Sequence, residues 1–126
     1  MAGNPAPGYL RKPDHVVAIA PYPGRIAVSL GGAVIADSAR ALAVSETGYG
    51  VAYYIPMADV RMDLAALTEH STHCPFKGNA SYYAFAVDGR RVENAAWSYA
   101  EPYDEAGALK GHLAFYTNRV DAVSVA

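Results

Sequence analysis

The 126 residues carry ten basic and twelve acidic side chains, a formal net charge of −2 and a hydrophobic fraction of 52%. That length suits one domain around one core. Apolar runs are broken by Gly, Pro or charge well short of a helical membrane span, and the basic residues are scattered, so neither a membrane nor a nucleic acid is expected as a partner.

Residues 1–23 open with a Gly-, Pro- and Ala-rich stretch, Met1 to Pro13, that lacks the apolar h-region of a secretory signal and reads as a flexible arm. Residues 24–126 read as a single β domain. Arg25 to Leu30 and Ala33 to Asp37 are β-rich runs around Gly31-Gly32, which a two-residue hairpin turn explains without a bound phosphate. Arg40 to Ser45 and Val51 to Ile55 follow as strands, divided by a turn at Gly48-Tyr49-Gly50. Residues 56–68 fit either period, and the reading adopted is one helical turn at 56–59 followed by a strand. Ser81 to Val87 reaches Asp88-Gly89, a strong hairpin signal, and returns as Arg90 to Tyr99. Glu101 to Ala106 suits a short helix stopped by Gly107, with its acids near the N-terminus, and His112 to Tyr116 and Ala122 to Val125 close the chain. The fold class is therefore all-β and mostly antiparallel, a small barrel or sandwich of about eight strands with one or two short helices.

The chemistry is concentrated in His70-Ser71-Thr72-His73-Cys74-Pro75-Phe76-Lys77-Gly78, which holds the single cysteine and two of the four histidines. One cysteine makes no internal disulfide, so a free thiol and a cytoplasmic location are expected. In an extended segment His70, Thr72 and Cys74 share a face, which makes His70 the candidate base and Cys74 the candidate nucleophile. Gly78 permits an exit that returns Lys77 toward the thiol. The plain alternative is a small buried Cys74 and a solvated Lys77. A metal site of His70, His73 and Cys74 with distant His112 is disfavoured, because adjacent strand residues point apart, and no cofactor is assigned. Signatures of P-loops, dinucleotide folds, zinc proteases and serine hydrolases are missing from the sequence.

A second constellation is aromatic. Ten tyrosines are present, and Tyr82, Tyr83 and Phe85 precede the Asp88-Gly89 turn while Trp97 and Tyr99 follow it. Most such rings are expected as packing. A barrel mouth or sheet face lined by Tyr and Trp, Tyr83, Trp97 and Tyr99 among them, with Arg61, Lys77 and Asn94 nearby would also suit a planar, anionic small molecule such as a nucleotide, with Tyr83 and Trp97 stacking it and Arg61 meeting its charge.

Ala36-Asp37-Ser38, Tyr53-Tyr54-Ile55-Pro56, Asp59 to Leu64, Thr72 to Gly78, Ala80 to Tyr83, Asn94 to Tyr99 with Glu101-Pro102, and Gly111 to Tyr116 together resemble the bacterial and fungal family catalogued as domain of unknown function 427. The resemblance runs from about Gly24 to the C-terminus. It implies a compact all-β fold, and the family has also been labelled nucleotidyltransferase-like.

Three functions remain open from these residues. The first is a small-molecule enzyme with a pocket around Cys74, Lys77, Trp97 and Tyr99, acting through Cys74 or His70 on an electrophilic substrate, a nucleotide-like molecule being one candidate. The second is a non-catalytic small-ligand-binding module. The third is a homo-oligomeric structural or adaptor protein with the aromatics at an interface.

Overall fold

Period-two patterning and glycines at forced turns produce most of the architecture. The computed structural model describes residues 3–126. Met1 and Ala2, the start of the expected arm, lie outside the described residues. The strands are β1 (Val17–Pro21), β2 (Ile26–Leu30), β3 (Ala33–Ser38), β4 (Leu42–Glu46), β5 (Val51–Pro56), β6 (Ala65–Cys74), β7 (Gly78–Val87), β8 (Arg90–Ser98), β9 (His112–Phe115) and β10 (Ala122–Val125). Gly31 and Gly32 have φ of 59° and 80°, and Asp88 and Gly89 have φ of 49° and 78°. Both turns thus need two consecutive left-handed residues, the demand that makes these dipeptides hairpin signals.

All strand pairings are antiparallel, in a seven-stranded sheet of order β1-β4-β5-β9-β8-β7-β6 and a three-stranded sheet of order β10-β2-β3. The stretch expected as an arm contains a one-turn helix, α1 (Gly8–Arg11), and strand β1, so the large sheet begins ahead of Gly24. In residues 56–68, 3-10 turns occupy both Met57–Asp59 and Met62–Leu64, and the strand starts at Ala65. The helix expected at 101–106 is a 3-10 segment at Asp104–Leu109. No helix among the described residues is long and apolar enough to cross a membrane.

Alternation gives the large sheet two different faces. One face, with Ile55, Phe85, Ala96, Leu113 and Phe115, packs against Ile26, Val28, Leu30 and Ile35 of the small sheet. The other carries Val44, Tyr54, Ala80, Tyr82, Tyr99 and Ala114, and is capped at one end by Ala106 and Leu109. Toward this second face the sheet curls. Glu46, at the end of β4, is salt-bridged to Lys77 in the β6–β7 turn, although four strand pairings separate β4 from β7 in the sheet. The sheet is not closed by strand pairing between β1 and β6. Side chains make the join instead: the Glu46–Lys77 pair, and His15 just ahead of β1 stacked on Phe76 with ring centroids 3.9 Å apart.

Two matched bulges bend the long β6-β7-β8 ribbon. Thr68, Glu69 and His70 stand opposite the single residue Tyr82, and Glu93, Asn94 and Ala95 opposite Ala84. Asn94 adopts φ 50°, and its side-chain oxygen accepts a 2.6 Å hydrogen bond from the Thr68 hydroxyl, which ties one bulge to the other. Bulges of this kind re-aim side chains and increase local twist.

Candidate functional site

The curl leaves a cavity of about 480 Å³ against the second face, lined by Val44, Glu46, Tyr49, Gly50, Ala52, Tyr54, Thr72, Cys74, Lys77, Tyr82, Trp97, Tyr99 and Tyr116. That volume lies in the range of small-ligand sites, about 300–1,000 Å³. Four of the residues anticipated for a pocket, Cys74, Lys77, Trp97 and Tyr99, line it together.

Each arrives there for a local reason. Thr72 and Cys74 alternate onto the inner face of β6, whereas His73 between them points away and meets Asn79 Oδ1 at 2.7 Å. Pro75, Phe76 and Lys77 form the three-residue connection between the paired residues Cys74 and Gly78. Phe76 is buried under the N-terminal segment, edge-on to Tyr9 at 5.0 Å and stacked on His15, and Gly8 N–H donates to Pro75 O at 3.0 Å. A side chain at Gly8 would collide with the Phe76 ring, since its Cβ would stand 2.7 Å from a ring carbon. Gly78, with φ 128° and close to the Glu101 and Pro102 backbone, makes the exit that leaves Lys77 over the cavity.

The aromatic wall is joined by hydrogen bonds. Trp97 Nε1–H donates to Tyr54 Oη at 3.0 Å, the Thr72 and Tyr82 hydroxyls are 2.9 Å apart, and Tyr116 Oη donates to Tyr82 Oη at 3.4 Å. Arg119 sits 4.3 Å over the Tyr116 ring, a cation–π contact. Burial pushes the Tyr54 phenol up to about 12 and raises Tyr99 as well. Burial first, then the hydrogen bond with Tyr82, raises Tyr116 to about 12. These phenols are therefore neutral hydrogen-bonding groups near neutral pH.

The charged rim is a three-residue chain. Lys77 Nζ donates to Glu46 Oε1, and His15 Nε2 lies 2.9 Å from Glu46 Oε2. The three side chains are only 10–12% exposed. Burial alone would raise the Glu46 carboxyl, yet the hydrogen bonds from Lys77 and His15 outweigh it and hold the group below its ordinary value.

Other anticipated residues are elsewhere. His70 is exposed in the β6 bulge and packs on Tyr82, with ring centroids 4.5 Å apart, but is not part of the cavity wall. Tyr83 faces the opposite side of the sheet and packs with the core shared with the small sheet, so it cannot stack one ligand together with Trp97. The physical reason is the pairing of Trp97 with Tyr82, the neighbour that points the other way. Arg61 is exposed and held bidentately by Asp63, at 2.9 and 2.7 Å, away from the cavity wall. Asn94 is spent on the bulge, bonded to Thr68 through its side chain and to Arg119 through its carbonyl. His70, His73 and Cys74, weighed as metal ligands, point in different directions, and among the described residues no three His, Cys, Asp or Glu side chains gather as a metal site. Glu46 and His15 were not anticipated. Both are distant in sequence from Lys77, and nothing local to them signals the meeting.

A family model described as domain of unknown function (DUF427) matches residues 18–126. The chain belongs to the DUF427 family. The match covers all ten strands except the first residue of β1, hence the sheet, the cavity floor and the Thr72–Gly78 turn. His15 and α1 lie ahead of it. No curated protein matches the chain.

Proposed function

We propose that this DUF427 chain is a small-molecule-binding protein whose ligand occupies the aromatic cavity on the curled face of the large sheet. One observation supports this reading above the others: Tyr54, Tyr82, Trp97, Tyr99 and Tyr116 gather around about 480 Å³ of space instead of filling it. A second opening of about 540 Å³ lies toward the small sheet against Ile26, Val28, Ile55 and Phe115, but its lining carries no charged side chain. Rings with hydrogen-bonded hydroxyls favour a flat molecule with a polar edge, and Lys77 and Glu46 at the rim offer one donor and one acceptor of full charge.

A catalytic Cys74 draws less support from the geometry. Its thiol lines the cavity, but no side-chain hydrogen bond joins it to a base among the described residues, and His70 is not part of the cavity wall. Binding is therefore the reading adopted, and Cys74→Ser is expected to retain it.

Trp97 is the single tryptophan and lines both openings, so its fluorescence reports binding, and a substitution confined to the aromatic cavity locates it. A panel of small planar compounds is expected to contain members that change this emission saturably and raise the melting temperature, with both effects lost in Tyr82→Ala, which alters the aromatic cavity and not the second opening. A panel without a saturable response, or one unaffected by Tyr82→Ala, would sink the proposal.

A further inference from the structure

We infer that Lys77 is a nucleophilic amine that forms an imine with an aldehyde or ketone held in the aromatic cavity, with Glu46 moving the protons. The inference rests on the cavity as a ligand site and names the class of molecule it takes.

Three features carry it. First, Lys77 is the single lysine on the cavity wall: Lys12 and Lys110 are exposed and lie outside it, whereas the Lys77 side chain is only 12% exposed. A lysine withdrawn from water among apolar and aromatic surfaces is the kind used for Schiff-base chemistry. Second, its ammonium donates directly to Glu46 Oε1, so a proton acceptor is already in contact with the nitrogen. Third, the acceptor is itself held in place, because Glu46 Oε2 lies 2.9 Å from His15 Nε2 and the His15 ring is clamped on Phe76. Nucleophile, base and orienting group thus form a continuous chain from the cavity to the N-terminal segment, the arrangement that Cys74 lacks.

The step balances without a redox partner. Lys77 Nζ passes one proton to Glu46 and attacks the carbonyl carbon. The new C–N bond forms as the C=O π bond breaks, and the oxygen takes the proton from Glu46. The nitrogen then gives Glu46 its second proton, and the hydroxyl takes that proton and leaves as water, giving a protonated imine. The sum is one ammonium and one carbonyl converted to one iminium and one water. Glu46 is the catalytic acid–base here, and His15 is a positioning residue acting through it.

The test uses the full chain, benzaldehyde as probe and cyanoborohydride to reduce and fix any imine, with sites assigned by peptide mass mapping. Lys77 is expected to be modified about tenfold faster than Lys12 or Lys110, and Glu46→Gln to slow Lys77 alone by about a hundredfold, the scale of one general acid–base group. His15→Ala should lower the Lys77 rate, and His15→Gln, whose amide keeps a donor toward Glu46, should restore it. Modification of Lys12 and Lys110 with Lys77 spared would overturn the inference and leave Lys77 as the cation of a structural ion pair. Equal rates in Glu46→Gln would remove Glu46 from the chemistry. Benzyl alcohol, which has no carbonyl, separates this failure from that of the cavity. A saturable Trp97 response to it without Lys77 trapping defeats the imine alone, while no response and no trapping defeats both.

Discussion

The two faces of the large sheet are made from the same strands and solve different problems. Against the small sheet, Ile55, Phe85, Leu113 and Phe115 meet Ile26, Val28, Leu30 and Ile35, all at most 8% exposed and all without a polar side-chain atom. On the curled face the corresponding positions are Tyr54, Tyr82, Trp97 and Tyr116, whose polar tips bond to one another around open space. One face spends its residues on burial, which is worth about 25 cal/mol per Å² of apolar surface. The other keeps hydroxyls, an ion pair and a thiol within reach of a guest. Strand alternation makes this separation available, because neighbouring residues on one strand serve opposite purposes.

Substitutions on each face sharpen that contrast. The largest loss is expected from Phe85→Ala, which opens a void beneath a fully buried ring and should cost about 4 kcal/mol in denaturant unfolding, with planar-ligand binding intact while the chain stays folded. A loss under about 1 kcal/mol there would mean that the apolar face is loosely packed around Phe85. Next is Glu46→Ala, which strands Lys77 and cuts the join between β4 and the β6–β7 turn. About 2–3 kcal/mol is expected, because a buried charge is left without its partner.

The same carboxylate predicts an acid limb. Its folded pKa is held below the ordinary value of 4.5, so its contribution to stability is complete above that pH and is lost as the pH falls through the depressed folded value. The unfolding midpoint of the parent chain should therefore fall more steeply below pH 4.5 than that of Glu46→Gln. Parallel curves for the two proteins would show that the pair adds no stability.

A smaller effect is expected from Tyr82→Phe. It removes the hydroxyl shared with Thr72 and Tyr116 at a cost of about 1 kcal/mol, and should alter ligand affinity more than the melting temperature. Arg61→Ala should change neither measurably, since its pair with Asp63 is exposed and away from the cavity. A loss of binding in that variant would return Arg61 to the site.

Features encoded within a few residues were legible beforehand. Gly31-Gly32 and Asp88-Gly89 announced their hairpins because two successive left-handed residues exclude most side chains. Alternation announced strands, and Gly78 announced a sharp exit after Lys77. The surroundings of Tyr83 and Asn94 were not legible, for a countable reason. Simple pairing back from Val87↔Arg90 puts Tyr83 opposite Asn94, but the bulge at Glu93–Ala95 moves its partner to Ala96 and leaves Asn94 to brace Thr68. Bulges depend on neighbouring strands on both sides, so single-strand periodicity carries no mark of them.

By itself, then, the sequence determined the antiparallel β class, the hairpins, the family and the dense Thr72–Gly78 turn, because each is written in local backbone preference or in contiguous residues. Only the tertiary structure decided that the sheet curls without closing, that Tyr83 and Trp97 face opposite ways, and that Glu46 and His15 meet Lys77. Those outcomes depend on the accumulated twist and bulging of seven strands, which brings together residues 31 positions apart that have no local reason to meet.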